Sequence, residues 1–532
     1  MLKLALIFQD HMTLQRGKPI AFWGTAGAGD EVSITVQNMT ASCRAATNGC
    51  WRAEIGPLEA SFQETIQIAS GDDSVFLHDV QVGDVYLAAG QSNMEFYMRY
   101  DADFADEMET CTNDDIRFFD YPEVSYPDQI NEADYGRNFG FWRRATADQL
   151  QWFSAPAYYF AKTLQARYGV PIGIVGCNWG GTPACAWMSE EAIEEGGGGL
   201  YLEEYREALA DLDPETYENR FRTDPASWRT EPFADAASVM LMEGRILEEI
   251  LRGLYGDMTP PPQIDFSAMA PPMGPKNEKR PCGLYESMLS QVAPYGMRGI
   301  LYYQGESDGD AHPELYATLF PALIRCFRRL WNDELPFLFV QLAPFGRWMQ
   351  CVGEPYAIIR EAQQHTADTV PGVGMAVITD IGMELDIHPK KKKPVGERLA
   401  LLAEKIIYGE DVLCEAPTLL GMEVKDGQLR LRFGNVGTGL HLAAHTPDGA
   451  QTHPARLGGL TLALGDEELD CSSIPATADN DTVILRSSEI RKGRITAELG
   501  RGGWFRINLY NSADLPARPG RLTTNEGVTH IH

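Results

Sequence analysis

The chain has 532 residues, too many for one hydrophobic core, and its length predicts roughly two to four domains. Hydrophobic residues make up 44% and charged residues 23%, the composition of a globular protein rather than a disordered or fibrous one. The formal net charge of −30 argues against nucleic acid or an anionic membrane as partner, since both would repel it.

Met1 to Asp10 carries an apolar stretch with no small-residue cleavage site at its end, so it reads as a first strand and not as a signal peptide. No later apolar run approaches the roughly 20 residues that span a bilayer. The closest cysteine pairs, Cys43/Cys50 and Cys177/Cys185, lack the spacing of a zinc site, and scattered thiols fit a reducing compartment. The expectation is a cytoplasmic protein, or a secreted or periplasmic one if a leader has been removed.

Residues 1–84 alternate at period two, as in Glu31–Val36 and Thr65–Ile68, with turn chemistry at Gly27-Ala-Gly-Asp30 and Asn48-Gly49. They predict a small β-sandwich-like domain without a helix. From Val85 short apolar strands alternate with helical stretches. The strands are Val85–Ala89, Ile172–Gly176, Gly299–Tyr303, Phe337–Leu342 and Met375–Thr379. The helices are Pro156–Tyr168 with Gly169 as cap, Leu315–Trp331, and Glu397–Tyr408 with Gly409 as cap. Such alternation predicts an α/β domain with a parallel sheet covered on both faces, over residues 85–410. Residues 190–280 interrupt it with a polar, partly helical insertion containing Pro260–Pro262 and Pro271–Pro272. The insertion is read either as a border of the substrate cleft or as a solvated excursion. Residues 411–532 return to β alternation, as in Leu429–Phe433 and Trp504–Tyr510.

The chemistry concentrates at strand ends. Val85-Tyr-Leu-Ala-Ala-Gly-Gln-Ser-Asn-Met-Glu-Phe96 runs from a strand through Gly90 into a helix start, which places the Ser92 hydroxyl at the carboxyl edge of a sheet. Backbone N–H groups and a helix N-terminus there favour developing negative charge. Met94 breaks the G-x-S-x-G pattern, which weakens the common α/β-hydrolase reading, and a serine at such a turn can also be a simple helix cap. A serine nucleophile needs a base. Of the ten histidines, His11 and His78 lie in the first β region, His441, His445 and His453 in the last, and His530 and His532 at the end of the chain. His312 and His365 sit within or beside helices. His388, in Asp386-Ile-His-Pro389, lies between the last strand and the last helix of the α/β region, with Asp386 near enough to orient it. Gln304 and Glu306 end another strand, in Tyr303-Gln-Gly-Glu-Ser307: Gln304 can donate to an oxyanion, and Glu306 is either a buttress or a buried partner for nearby turns. The glycines of Asn178-Trp-Gly-Gly-Thr182 permit close approach of a substrate oxygen, or simply a tight turn.

Gly90-Gln-Ser-Asn, Trp179-Gly-Gly-Thr, Tyr303-Gln-Gly-Glu-Ser and Asp386-Ile-His-Pro, in this order, resemble the SGNH/GDSL hydrolase superfamily, in its sialate O-acetylesterase-like carbohydrate esterase branch. Met12-Thr-Leu-Gln-Arg-Gly17, Val82-Gly-Asp84 and Tyr510-Asn-Ser-Ala-Asp-Leu-Pro516 extend the likeness over most of the chain. The resemblance implies a flavodoxin-like SGNH domain flanked by β regions, and an esterase that removes acetyl groups from sugar hydroxyls without metal or organic cofactor. It implies Ser92 as nucleophile, His388 as base and Asp386 as third member. The oxyanion hole would comprise the Ser92 N–H, an N–H from Gly180 or Gly181, and the Gln304 side chain, with Gln91, Asn93 and Glu306 in support. Two positions depart from the pattern. Leu385 stands where many relatives place the acid, which leaves triad and dyad both open, and Glu286 stands where relatives carry Asn. Lys390–Lys393 reads as a solvated loop, or as a source of one cation for an acidic sugar. Sialic acid is the first expected substrate, with acetylated xylan, xyloglucan or mannan fragments, a non-catalytic sugar-binding role, and a lipase or thioesterase as alternatives. Oligomeric state is not legible.

Overall fold

The computed structural model describes residues 1–132, 139–223, 242–243, 272–348, 351–425, 427–490, 493–524 and 528–530. The protein is a mixed α/β chain with several sheets. It divides into two compact units, one of Met1–Ser307 with Thr318–Phe337, the other of Asp308–Ala317 with Leu338–His532. Among the described residues no helix is long and apolar enough to cross a membrane.

In the first unit, strands β1 (Glu31–Val36), β2 (Met39–Arg44) and β3 (Ser61–Ser70) pair antiparallel, with β1 in the middle. Strand β4 (Asp73–Gly90) then does two jobs. Its first half pairs antiparallel with β3. From Val80 it is buried on both faces, and from Asp84 it becomes the central strand of a parallel sheet. That sheet has the order β6 (Trp142–Ala145), β5 (Asn113–Asp120), β7 (Ile172–Asn178), β4 and β8 (Gly299–Tyr303), parallel except for β6. Every residue of β7 and β8 is buried, which is why these strands read as unbroken apolar runs. The connections after β4 and β7 leave to opposite sides of β4, so a crevice opens at the carboxyl end of this strand.

The helix Ala155–Tyr168 starts where the Ser154 hydroxyl accepts the Ala157 N–H and ends at Gly169, whose φ of 62° is the left-handed cap the sequence predicts. The motifs outside the catalytic strands are structural. Gln15 accepts the Val85 N–H at 2.9 Å, Arg16 grips Asp84 at 2.9 and 2.8 Å, and the Tyr295 hydroxyl donates to the Thr13 carbonyl at 2.6 Å. They tie the start of the chain to the strand that leads to Ser92. The insertion is helical over Glu190–Glu195, Gly199–Ala210 and Pro214–Thr223. Pro260–Pro262 and Pro271 lie outside the described residues.

In the second unit, β9 (Phe337–Val340) and β10 (Val373–Ala376) are neighbours, and the helices Tyr356–Thr369 and Lys393–Ile406 belong with them. The remainder is a five-stranded and a four-stranded antiparallel sheet that share one apolar core, with Leu429, Leu431, Val483, Leu485, Ala497 and Leu499 at its centre. In the Tyr510–Pro516 motif, Asn511 accepts the Ala513 and Leu515 N–H groups and donates to the Glu415 and Asn435 carbonyls, so it is a knot in this unit.

Four expectations need correction. The first ten residues form a strand only at Lys3–Leu4, because the segment turns twice around that pairing. Trp504–Tyr510 alternates in burial only as far as Ile507, and only Leu509–Tyr510 finds a ladder partner, so the earlier residues form no strand. The last α/β helix begins at Lys393, ahead of the expected Glu397, because Pro394 suits the first helical turn. It closes at Ile407, and Gly409 follows outside it. Lys390–Lys393 is therefore no solvated loop: Lys392 is fully buried and none of the four is exposed.

Candidate active site

Ser92 opens the short helix Ser92–Glu95 directly after β4. The turn exists because residue 90 is glycine: its φ is 138°, and a Cβ there would stand 2.2 Å from the Tyr303 carbonyl oxygen. Ser92 is 8% exposed, the part of the turn nearest solvent, while Gln91 and Asn93 are buried. Both neighbours bind the segment that follows β8. The Asn93 amide donates to Glu306 Oε1 at 2.5 Å, and Gln91 Oε1 accepts the Ser307 N–H at 3.3 Å. The next helix locks the turn from behind, with Ser154 Oγ donating to the Met94 carbonyl at 2.6 Å.

The glycine turn that follows β7 lies against the same helix. Trp179 donates its N–H to the Gly90 carbonyl at 3.1 Å, and Gly180 donates its N–H to Glu95 Oε2 at 2.8 Å. Gly181 has a φ of 76°, where a side chain would be strained. Gln304, fully buried at the end of β8, donates from Nε2 to the Thr182 carbonyl at 3.3 Å and accepts from the Tyr302 hydroxyl at 3.3 Å. Exposed Lys279 brings its Cε within 3.9 Å of where a Cβ on Gly181 would be. Glu286, the residue at odds with the family pattern, is paired with Arg280 at 2.7 Å.

The second unit holds Asp386 and His388, which are 5% and 3% exposed. Asp386 Oδ1 accepts the His388 backbone N–H at 2.8 Å and lies 3.5 Å from its Nδ1, beyond a good ring hydrogen bond. Asp386 Oδ2 pairs with Lys390 at 2.9 Å. Burial pulls the imidazole pKa down to about 4, against the upward pull of Asp386, so His388 is neutral at pH 7. Burial alone would raise the Asp386 carboxyl, but its bonds to His388 and Lys390 bring it below its ordinary value. Trp348 packs edge-on to the His388 ring, with centroids 5.3 Å apart. The base of this segment is clamped by Asp380, fully buried, which takes two 2.7 Å bonds from Arg398 and one of 3.1 Å from the Tyr510 hydroxyl. Arg506, held by Asp448, donates to the Asp380 and Gly382 carbonyls.

The first unit thus gathers Gln91, Ser92, Asn93, Gly180, Gly181, Gln304 and Glu306, and the second gathers Asp386 and His388. Sequence reasoning does not single out Glu95, Trp348 or Asp380. Glu95 stands in the quoted motif three places after Ser92 and was open to notice, but Trp348 and Asp380 carry no local signal.

A near-buried serine on a strand-to-helix turn and a buried neutral histidine are the equipment of a serine esterase. Residues 276–403, which include Gln304, Glu306, Asp386 and His388, match the family described as carbohydrate esterase, sialic acid-specific acetylesterase. Sialate O-acetylesterase of Rattus norvegicus is 26% identical over 448 residues, 77% of this chain and 74% of the rat protein. That of Mus musculus is 25% identical over 477 residues, 81% and 79% of the two chains. The structure is similar to a carbohydrate acetylesterase from Xanthomonas citri, with a TM-score of 0.71 and 27% identity over 98% of this chain and 99% of that one. The chain is similar to the sialate O-acetylesterase-like carbohydrate esterases over most of its length, and it is a carbohydrate O-acetylesterase.

Proposed function

We propose that the protein removes O-acetyl groups from sialic acids through an acyl-enzyme on Ser92, with His388 as general base. His388 Nε2 takes the Ser92 proton as Oγ attacks the acetyl carbonyl. The oxyanion is stabilised by backbone N–H groups of Ser92 and the glycine turn, and by the Gln304 amide. The sugar hydroxyl leaves with the proton from His388, and water releases acetate by the same route. Asp386 anchors the backbone of His388, with Lys390 sharing its charge, so the reading is nearer a dyad than a triad. Gln91, Asn93 and Glu306 support the turn from beneath. We read the core as an SGNH-type, flavodoxin-like domain over residues 85–410, preceded by a β domain of residues 1–84 and followed by a β region of 411–532.

The observation that carries the reading is the Gly90-Gln-Ser-Asn turn, which delivers Ser92 to the carboxyl end of the central strand next to the glycine turn. Two points support an acidic sugar. The mammalian relatives are named for sialate, and Lys279 is a cation at the rim of Gly181. A second reading, acetylated plant oligosaccharides, is compatible with the full-length likeness to a protein named only as a carbohydrate acetylesterase.

The test is acetate release by the purified chain, and by Ser92→Ala and His388→Ala, from O-acetylated sialic acid and from acetylated xylo- and manno-oligosaccharides. Each variant is expected to lose about 10⁴-fold or more. Release from plant oligosaccharides alone would replace the substrate and keep the mechanism. A fully active, folded His388→Ala protein would overturn the site, and no release from any substrate would revive the sugar-binding role.

A further inference from the structure

Glu95 ends the helical turn that Ser92 begins, and its side chain is 2% exposed. A buried carboxylate is costly unless its charge is answered. Part of the answer is the 2.8 Å bond from the Gly180 N–H to Oε2. Asp120 stands close enough to feel the Glu95 charge. Burial pushes Asp120 up to about 8 against the pull of Arg143, and the Glu95 charge adds a smaller upward push. A buried acid kept beside another acid needs a reason, and the glycine turn supplies one.

The turn is secured at its flanks. Trp179 donates to the Gly90 carbonyl at 3.1 Å. Thr182 Oγ1 donates to the Trp179 carbonyl at 2.7 Å and accepts from Trp187 Nε1 at 2.9 Å. Between these ties, Gly180 has no side chain to pack, and Glu95 is what holds its amide. One side chain therefore couples the helix that carries the nucleophile to the turn opposite it. The same bond removes the Gly180 N–H from the donors open to a substrate oxygen.

We propose that Glu95 is a positioning residue of the esterase reaction: it engages the Gly180 N–H to set the glycine turn against the Ser92 helix, so that Gly181 presents its N–H to the acetyl oxyanion. This rests on the Ser92 reading above. Oxyanion donors act only when placed to within a few tenths of an ångström before the reaction, and loss of one costs about 10²–10³ in kcat.

The test compares Glu95→Gln, Glu95→Asp and Glu95→Ala in the full chain, on 4-nitrophenyl acetate, whose acetyl group is the substrate's and whose alcohol is not a sugar. Gln keeps an acceptor at the same reach and Asp keeps the charge one methylene shorter. If position is what matters, Gln retains kcat within about threefold while Asp and Ala lose about 10², with KM and thermal midpoint little changed. Equal or better activity of Asp over Gln would mean that charge alone matters and would overturn the proposal. So would a folded Ala variant with wild-type kcat; if Ala does not fold, the order of Gln and Asp decides. Activity remaining in Ser92→Ala would sink the esterase site itself, a failure separate from either result at Glu95. No release by the unmodified chain would remove both.

Discussion

Ser92 comes two residues after a glycine whose φ of 138° only glycine tolerates easily, and its neighbours are tied to the Ser307 N–H and to the Glu306 carboxylate. His388 sits in a segment held by charges: Asp386 to Lys390 at one point, Asp380 to Arg398 at another. The first segment is set by backbone geometry, with the buried Glu306 and Glu95 carboxylates accepting hydrogen bonds from an amide and a backbone N–H. The second depends on buried ion pairs, which bring exact placement but fail badly when one partner is removed. A side chain at a sheet edge inherits its position from the strand, whereas one on a loop must be given it.

Removing a charge from the second segment should have the largest effect. Asp380→Ala leaves Arg398 buried without its carboxylate and is expected to cost about 3–5 kcal/mol, read as a lowered urea midpoint. A loss under about 1 kcal/mol would mean that the pair does not clamp the loop. Asp386→Asn sharpens the picture, since Asn keeps the acceptor for the His388 backbone N–H. Activity should fall only about tenfold, whereas a fall of about 10⁴ would make Asp386 a true ring partner.

The pH response is a third measure. The folded pKa of His388, about 4, lies below its ordinary 6.5, so between those values the unfolded chain takes up a proton that the folded chain refuses. Its contribution to stability is therefore complete above about pH 6.5 and lost as pH falls toward 4. Asp386, lowered from 3.8, adds a loss in the same direction below that. The acid limb of kcat/KM should lie nearer 4 than 6.5, and a limb at 6.5 would show that the base is solvated in the free enzyme. Lys279→Met should lower kcat/KM for O-acetylated sialic acid about tenfold and leave neutral acetylated oligosaccharides unchanged. Equal effects on both would remove Lys279 from substrate choice. The smallest effect is expected of Tyr510→Phe, about 1 kcal/mol in stability, because Arg398 still answers Asp380.

Much of this was readable along the chain. Glu31–Val36 and Gly299–Tyr303 match their strands to the residue, since alternation and a buried apolar run are local signals. Gly90, Ser92 and His388 stood out because a strand-to-helix turn and a scarce residue type each leave a mark in sequence. The lysine run is not legible in the same way, because four consecutive cations look solvated in sequence, whereas in the fold Lys390 pairs with Asp386.

Sequence alone determined the order of the elements and the kind of enzyme, and it singled out Ser92 and His388, for these rest on short-range patterns and four motifs. Tertiary structure decided that Glu95 takes the N–H of Gly180, that Asp386 holds a backbone more closely than a ring, and that Arg398 and Tyr510 meet on Asp380. Those contacts join residues up to 130 positions apart, and no local pattern encodes which buried charge a distant side chain will answer.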